Sequence, residues 1–173
     1  MTAFTNSKTE YNLEQFAGLR ARLSGESRVI VPGDDVYDMA RRGWNLAVDQ
    51  YPAMIVVVKT AQDVSEAVRF AQSQGLKIAI TATGHGVIRK ADNSLLIDTS
   101  KMAGVSMNAA ARTAWVGAGT KWGAVLEAAQ AVGLAPLLGS SPGVGAIGYT
   151  LGGGMGWLVR KYGLSADSVN YFD

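Results

Sequence analysis

Hydrophobic and polar positions change period several times along this chain, and each change marks an element. Met54-Ile55-Val56-Val57-Val58 is an unbroken apolar, mostly β-branched run, the pattern of a strand buried on both faces. Thr60 follows, with Asp63 three residues on, and Val64, Ala67, Val68 and Ala71 then recur at helical spacing up to Gly75. That is a capped amphipathic helix with a variant of the capping box. Lys77 to Thr81 returns to strand character, so Met54–Thr81 reads as a β-α-β unit with a right-handed crossover. Asp92-Asn93 marks a turn, Leu95-Leu96-Ile97 a strand closed by Asp98, and Thr113-Ala114-Trp115-Val116 a further strand. Thr120 is then placed to cap a helix through about Val132 that faces Trp122, Val125, Leu126 and Ala129 inward. Upstream, Asn12 to Leu23 and Asp34 or Asp35 to Arg42 read as short helices, the second after Pro32-Gly33.

Twenty-one glycines interrupt this pattern, and they thicken from Gly117 to culminate in Gly143–Gly156. A glycine inside a helix costs about 1 kcal/mol relative to alanine, so the cluster predicts loops in which backbone approaches something closely. Tyr149, Leu151, Met155 and Trp157 are too apolar for a solvated linker, and Trp115, Trp122 and Trp157 are assigned to the core. Gly143-Val144-Gly145-Ala146-Ile147-Gly148 matches the dinucleotide fingerprint, with Asp167 at a suitable distance beyond it. That fingerprint needs a strand before it and an unbroken helix after it. Gly139-Ser140-Ser141-Pro142 precedes it here and Gly152-Gly153-Gly154 follows, which argues against a nicotinamide dehydrogenase.

A length of 173 residues and an apolar fraction of 48% suit one globular domain or part of one. The net charge of +2 is spread without a basic run, which argues against a nucleic-acid partner. With no cysteine and one histidine, disulfides, iron–sulfur clusters and thiolate metal sites are excluded and a metal cage is not expected. Met1–Lys8 lacks an apolar segment and no stretch reaches the ~18 apolar residues of a membrane span, so a cytoplasmic protein away from membranes is expected. Redox chemistry would therefore need an organic cofactor. The single histidine, His85, lies in Thr81-Ala82-Thr83-Gly84-His85-Gly86, at the C-terminal end of a predicted strand. In open α/β sheets that edge binds ligands, and side chains this small let backbone amides reach a phosphorylated one. Gly117-Ala118-Gly119-Thr120 is a second candidate anion site, with a tight structural turn equally compatible.

Taken in order, Pro32-Gly33 with Arg41 to Asn45, the helix Ala61 to Gln74, Gly84-His85, Leu95–Asp98, Val116–Gly119, and Gly145–Gly156 running into Arg160–Leu164 and Asp167 form an ordered set. On that set the chain resembles the FAD-binding (PCMH-type) domain of the vanillyl-alcohol oxidase and p-cresol methylhydroxylase flavoproteins, most closely the berberine bridge enzyme-like branch. The resemblance implies an α+β fold of two small α/β subdomains, the second incomplete in this chain. It implies an extended FAD with its pyrophosphate on the amides of Thr81, Ala82, Thr83, Gly84, His85 and Gly86. Further cofactor contacts are expected at Gly117, Ser141, Pro142, Gly143, Gly145, Gly148, Tyr149, Gly152 and Gly153. It also implies covalent attachment of the flavin through His85, whose neutral imidazole is a competent nucleophile toward an electrophilic flavin carbon. Two positions depart from the family: Ser141 stands where bicovalent relatives carry a cysteine, and Thr81 where an arginine is common.

The activity so implied is that of an FAD-dependent oxidoreductase, moving hydride from a small alcohol, sugar or related substrate to flavin N5 with oxygen as acceptor. The other reading is a non-catalytic FAD-binding fragment that needs a substrate domain or partner chain to act. Expected boundaries are a helical lead-in over 1–50, a first FAD-binding subdomain over 51–103 and the start of a second over 104–173. An incomplete sheet leaves unpaired edges, so the isolated chain is expected to self-associate. A monodisperse monomer in light scattering at high concentration would contradict that expectation.

Overall fold

The apolar run that begins at Met54 lies at the centre of a four-stranded sheet in the computed structural model, which describes residues 13–173. In chain order the elements are α1 (Leu13–Arg20), β1 (Arg28–Ile30), α2 (Tyr37–Ala40), β2 (Met54–Val57), α3 (Ala61–Ser73), β3 (Lys77–Thr81) and β4 (Ser94–Asp98). They continue as β5 (Val105–Asn108), β6 (Thr113–Val116), α4 (Trp122–Gln130), α5 (Ala146–Leu151), α6 (Val159–Tyr162) and a 3₁₀ turn, Ser165–Ser168. The first sheet has the order β1-β2-β4-β3, with β2, β4 and β3 parallel and β1 antiparallel to β2. β5 and β6 form a separate antiparallel pair.

β2 is buried at every position because helices or loops cover both of its faces. Met54 and Val56, with Val58 just beyond the strand, face Phe16 and Leu19 of α1 and Ala67, Phe70 and Ala71 of α3. Ile55 and Val57 turn the other way, toward Tyr37 of α2, Leu96 and Ala91. Each such buried aliphatic side chain contributes on the order of 1.5–3 kcal/mol. The second half has its own cluster, in which Trp122, Val125 and Ala146 meet Val105, Val116, Leu138, Val144 and Tyr149.

The expected β-α-β unit is present, but its strands are not neighbours, since β4 lies between β2 and β3. A parallel neighbour requires a crossover of about a dozen residues. Here the segment 82–93, which carries His85, is that crossover between β3 and β4 and contains no helix.

Several expectations are corrected. The first helix spans Leu13–Arg20 rather than reaching Leu23, and the expected start at Asn12 lies outside the described residues. The second is a single turn, Tyr37–Ala40. Thr120 is not the cap of α4: that position is Lys121, which makes no side-chain cap bond. The buried Thr120 hydroxyl instead donates to the Gly104 carbonyl and accepts from the Gly104 amide, both at 3.0 Å, so the turn there is structural. Within the glycine run, Ala146–Leu151 is a short helix rather than a loop, and Val68 is exposed while Phe70 fills the core. Trp157 and Trp115 are 81% and 50% exposed and do not belong to the core, whereas Trp122 does. β1 and β5 have no counterpart in the sequence reading.

At the start of α3 the expected capping box is present and extends further. Thr60 and Asp63 cap one another, and the buried Asp63 carboxylate also accepts from Ser24 N at 2.7 Å and Ser24 Oγ at 3.0 Å, tying the turn after α1 to α3. Burial pushes this carboxyl upward, but the bonds from Ser24 and Thr60 outweigh it and hold it well below the usual carboxylate range. A carboxyl depressed on folding stabilises above its unfolded value, near pH ~4, and loses that contribution as acidification approaches its folded value. Asp63→Asn is therefore expected to cost about 1.5–3 kcal/mol at pH 7. In urea unfolding the gap between wild type and variant should narrow at pH 3; an equal gap at both pH values would contradict this account.

Candidate cofactor site

β3 ends at Thr81, whose carbonyl accepts from the Thr99 amide at 2.9 Å and the Thr99 hydroxyl at 3.2 Å, fixing the point at which the next segment leaves the sheet. Beyond it, the amides of Ala82, Thr83, Gly84, His85 and Gly86 have no acceptor among the described residues. Five consecutive N–H groups without an internal acceptor, most of them on residues with small side chains, are donors that an anion can take. Gly84 adopts φ +69°, a conformation that an L side chain rarely takes.

Two other segments meet this loop. From the second half, Gly145 N donates to Thr83 Oγ1 at 3.3 Å, and a Cβ at Gly145 would lie 3.2 Å from that oxygen. From the first half, Trp44 N donates to the Gly84 carbonyl at 3.0 Å, and a Cβ at Gly43 would come within 2.9 Å of the same oxygen. The Trp44 indole then lies parallel to the His85 imidazole, with ring centroids 4.6 Å apart and an interplanar angle of 16°. Such a pair contributes about 0.5–1.5 kcal/mol beyond area burial. Neither imidazole nitrogen has a hydrogen-bond partner among the described residues, and the side chain is exposed.

The segment carrying Trp44 is closed at its base. Gln50 Nε2 donates to Arg41 O at 2.8 Å, Arg41 Nη1 donates to Gln50 O at 3.1 Å, and Gln50 Oε1 accepts from Ala91 N at 3.1 Å, where the His85 crossover ends. The buried Arg41 guanidinium also pairs with Asp38 and Asp49 and lies 4.2 Å from the centre of the Tyr51 ring. Hydrogen bonds to Asp49 and Asp38 raise its already high pKa, and the Tyr51 hydroxyl together with Arg41 holds Asp49 below the usual range.

The expected site residues fall into two groups. Thr83, Gly84, His85 and Gly145 come together directly, with Ala82 beside Gly145. Gly86 and Gly148 would meet nothing within 4 Å if given a Cβ, and neither has a positive φ, so the chain itself does not require glycine there. Gly143 and Gly152 make only ordinary contacts. The remaining expected contacts have uses inside the fold. Gly117 lies against Met102 and Gly104, the Pro142 carbonyl accepts from Gly123 N at 2.9 Å, and the Ser141 carbonyl accepts from Val144 N. Gly153 adopts φ +98°. The Tyr149 ring is enclosed by Gly139, Gly154, Gly156 and Trp122, and its buried hydroxyl has no partner among the described residues. The sequence placed Gly43 and Trp44 within the stretch Arg41 to Asn45 that carries the family resemblance but gave them no part in the site, because only the tertiary approach of two loops brings them to it.

Among the described residues no group of carboxylates, histidines or cysteines is placed to hold a metal, and no helix is long and apolar enough to cross a membrane. The element directly before Gly143 is the helix α4 and not a strand, so the dinucleotide fingerprint lacks its structural context. The free amides, the open side of Gly86 and Gly148, and the unengaged imidazole nitrogens do fit an extended, phosphorylated, planar cofactor.

The chain is 33% identical over 153 residues to (R)-6-hydroxynicotine oxidase of Paenarthrobacter nicotinovorans, covering 87% of this chain and 33% of that protein. The crystal structure of 6-hydroxy-D-nicotine oxidase from Arthrobacter nicotinovorans superposes with a TM-score of 0.77 over 82% of this chain and 32% of the other, at 33% identity. The Physcomitrella patens BBE-like 1 protein superposes with the same TM-score over 88% and 34%, at 32% identity. This chain thus spans about a third of the length of these relatives. Residues 52–173 match the family described as FAD binding domain, and the chain belongs to that family, with the PCMH-type fold of the vanillyl-alcohol oxidase flavoproteins.

Proposed function

We propose that this chain holds FAD in extended form along the line where its two halves meet. The carrying observation is the run of five free amides from Ala82 to Gly86, bounded by Gly145 on one side and by Trp44 on the other. Those amides receive the pyrophosphate, with no arginine at Thr81 to assist them. Gly86, Gly143, Gly148 and Gly152 leave room for the cofactor's body, and the flavin end reaches His85.

His85 is proposed to attach the flavin covalently. One imidazole nitrogen of His85 would supply the bond to the 8α-methyl carbon and give up its proton, and the two-electron oxidation that accompanies loss of a methyl hydrogen would be supplied by the flavin with dioxygen as the final acceptor. FAD, when bound, supplies the acceptor for a hydride at N5, and the protein supplies position and polarity. The activity we propose for the whole protein is oxidation of a small alcohol, sugar or related carbon centre, with oxygen as acceptor. Substrate contacts would then come from the portion of the relatives that this chain does not match, or from a partner chain.

Acid precipitation of the purified chain is expected to leave yellow colour in the wild-type pellet and to release it from His85→Ala. Release from both would confine His85 to a non-covalent contact. Gly148→Ala gives a separate check, because the position is inside α5 and open to solvent. Alanine should stabilise the helix by up to about 1 kcal/mol, which is roughly 2–4 °C in Tm for a chain of this size, while weakening FAD binding about tenfold through loss of the open side. A stabilised variant with unchanged FAD affinity would remove Gly148 from the site.

A further inference from the structure

The contact between Trp44 and His85 is not explained by packing. Trp44 is 70% exposed and belongs to no core cluster, and its ring meets the imidazole face to face at 4.6 Å. The approach has steric requirements on both sides: Gly43 admits no Cβ without displacing the Gly84 carbonyl, and Gly84 needs its positive φ. The loop bearing the indole is closed by the reciprocal Arg41–Gln50 bonds, and Gln50 also takes the amide of Ala91 at the far end of the His85 crossover. The indole is thus mounted on a segment bonded to the His85 loop at both of its ends.

We propose that Trp44 is a positioning residue for His85, fixing the plane of the imidazole while leaving its reactive edge free. Stacking occupies only the faces of the ring; both nitrogens lie in its plane and have no partner among the described residues. An unrestrained imidazole would sample several χ1 and χ2 settings, few of which direct a nitrogen at a cofactor carbon, and restricting that freedom raises the fraction poised to react. The inference rests on the reading of His85 as the flavin-linking residue, and it adds the group that orients it.

The test uses Trp44→Ala and Trp44→Phe, alone and combined with His85→Ala, with circular dichroism to confirm folding. Because the chain has one histidine, its ring-proton signals in the FAD-free chain are unambiguous by NMR. They are expected upfield from indole shielding in wild type, at ordinary positions in Trp44→Ala and between the two in Trp44→Phe. Signals that Trp44→Ala does not move overturn the proposal, whether or not the chain takes up cofactor. On addition of FAD, acid-stable flavin should form about fivefold or more slowly in Trp44→Ala and within about twofold of wild type in Trp44→Phe. Equal rates in Trp44→Ala and wild type overturn it. Where wild type releases all its flavin in acid, the covalent reading fails separately and the dissociation constant of FAD decides. Trp44→Ala should then weaken binding about fivefold with His85 present and leave it unchanged when His85→Ala is also present; equal weakening in both backgrounds overturns the proposal.

Discussion

The insertion of β4 between β2 and β3 is the constraint on which the site depends. Because β3 and β4 are parallel neighbours, the chain must return from the end of one to the start of the other, and it does so through 82–93 without a helix. A crossover that lacks a helix keeps its first amides free, and those amides emerge at the C-terminal edge of the sheet. The paired strands fix that edge: Val58 N donates to Asp98 O at 2.9 Å, and Thr99 N closes on Thr81 O. The buried faces of β2 hold the sheet, the sheet fixes its edge, and the edge presents His85.

Two kinds of glycine serve this arrangement. Gly43, Gly84, Gly117, Gly119 and Gly154 are required by close approach or by positive φ, and Gly145 packs more loosely against the Thr83 side chain where loops from both halves converge. Gly86 and Gly148 are required by neither, and each faces open space. The dinucleotide-like spacing of Gly143, Gly145 and Gly148 is met in a different setting, in which Gly145 abuts Thr83 and Gly148 faces open space.

Much of the first half was legible in the sequence because its patterns are long and local. The run from Met54, the Thr60–Asp63 box and the strand before His85 each reflect interactions within a few residues of one another. β1 and β5 were not legible, since Arg28–Ile30 is only three residues long and Val105–Asn108 has little of the β-branched and aromatic character that marks β2 and β6. Thr120 was misread because a hydroxyl before a helix is usually a cap, whereas here Gly104 offers it both an acceptor and a donor across the fold. Trp115 and Trp157 show that aromatic size alone does not specify burial. The His85 loop was recognisable by composition and by its place after a strand; Trp44, which meets it only through tertiary structure, was not.

Amide NMR during titration with FAD would test the central claim most directly, because it reads the loop itself rather than the colour of the product. The amide signals of Ala82 through Gly86, together with that of Gly145, should shift on binding, while those of the buried strand β2 stay in place. Bound FAD that leaves the Ala82–Gly86 amides unmoved would contradict the account and place the cofactor elsewhere on the chain.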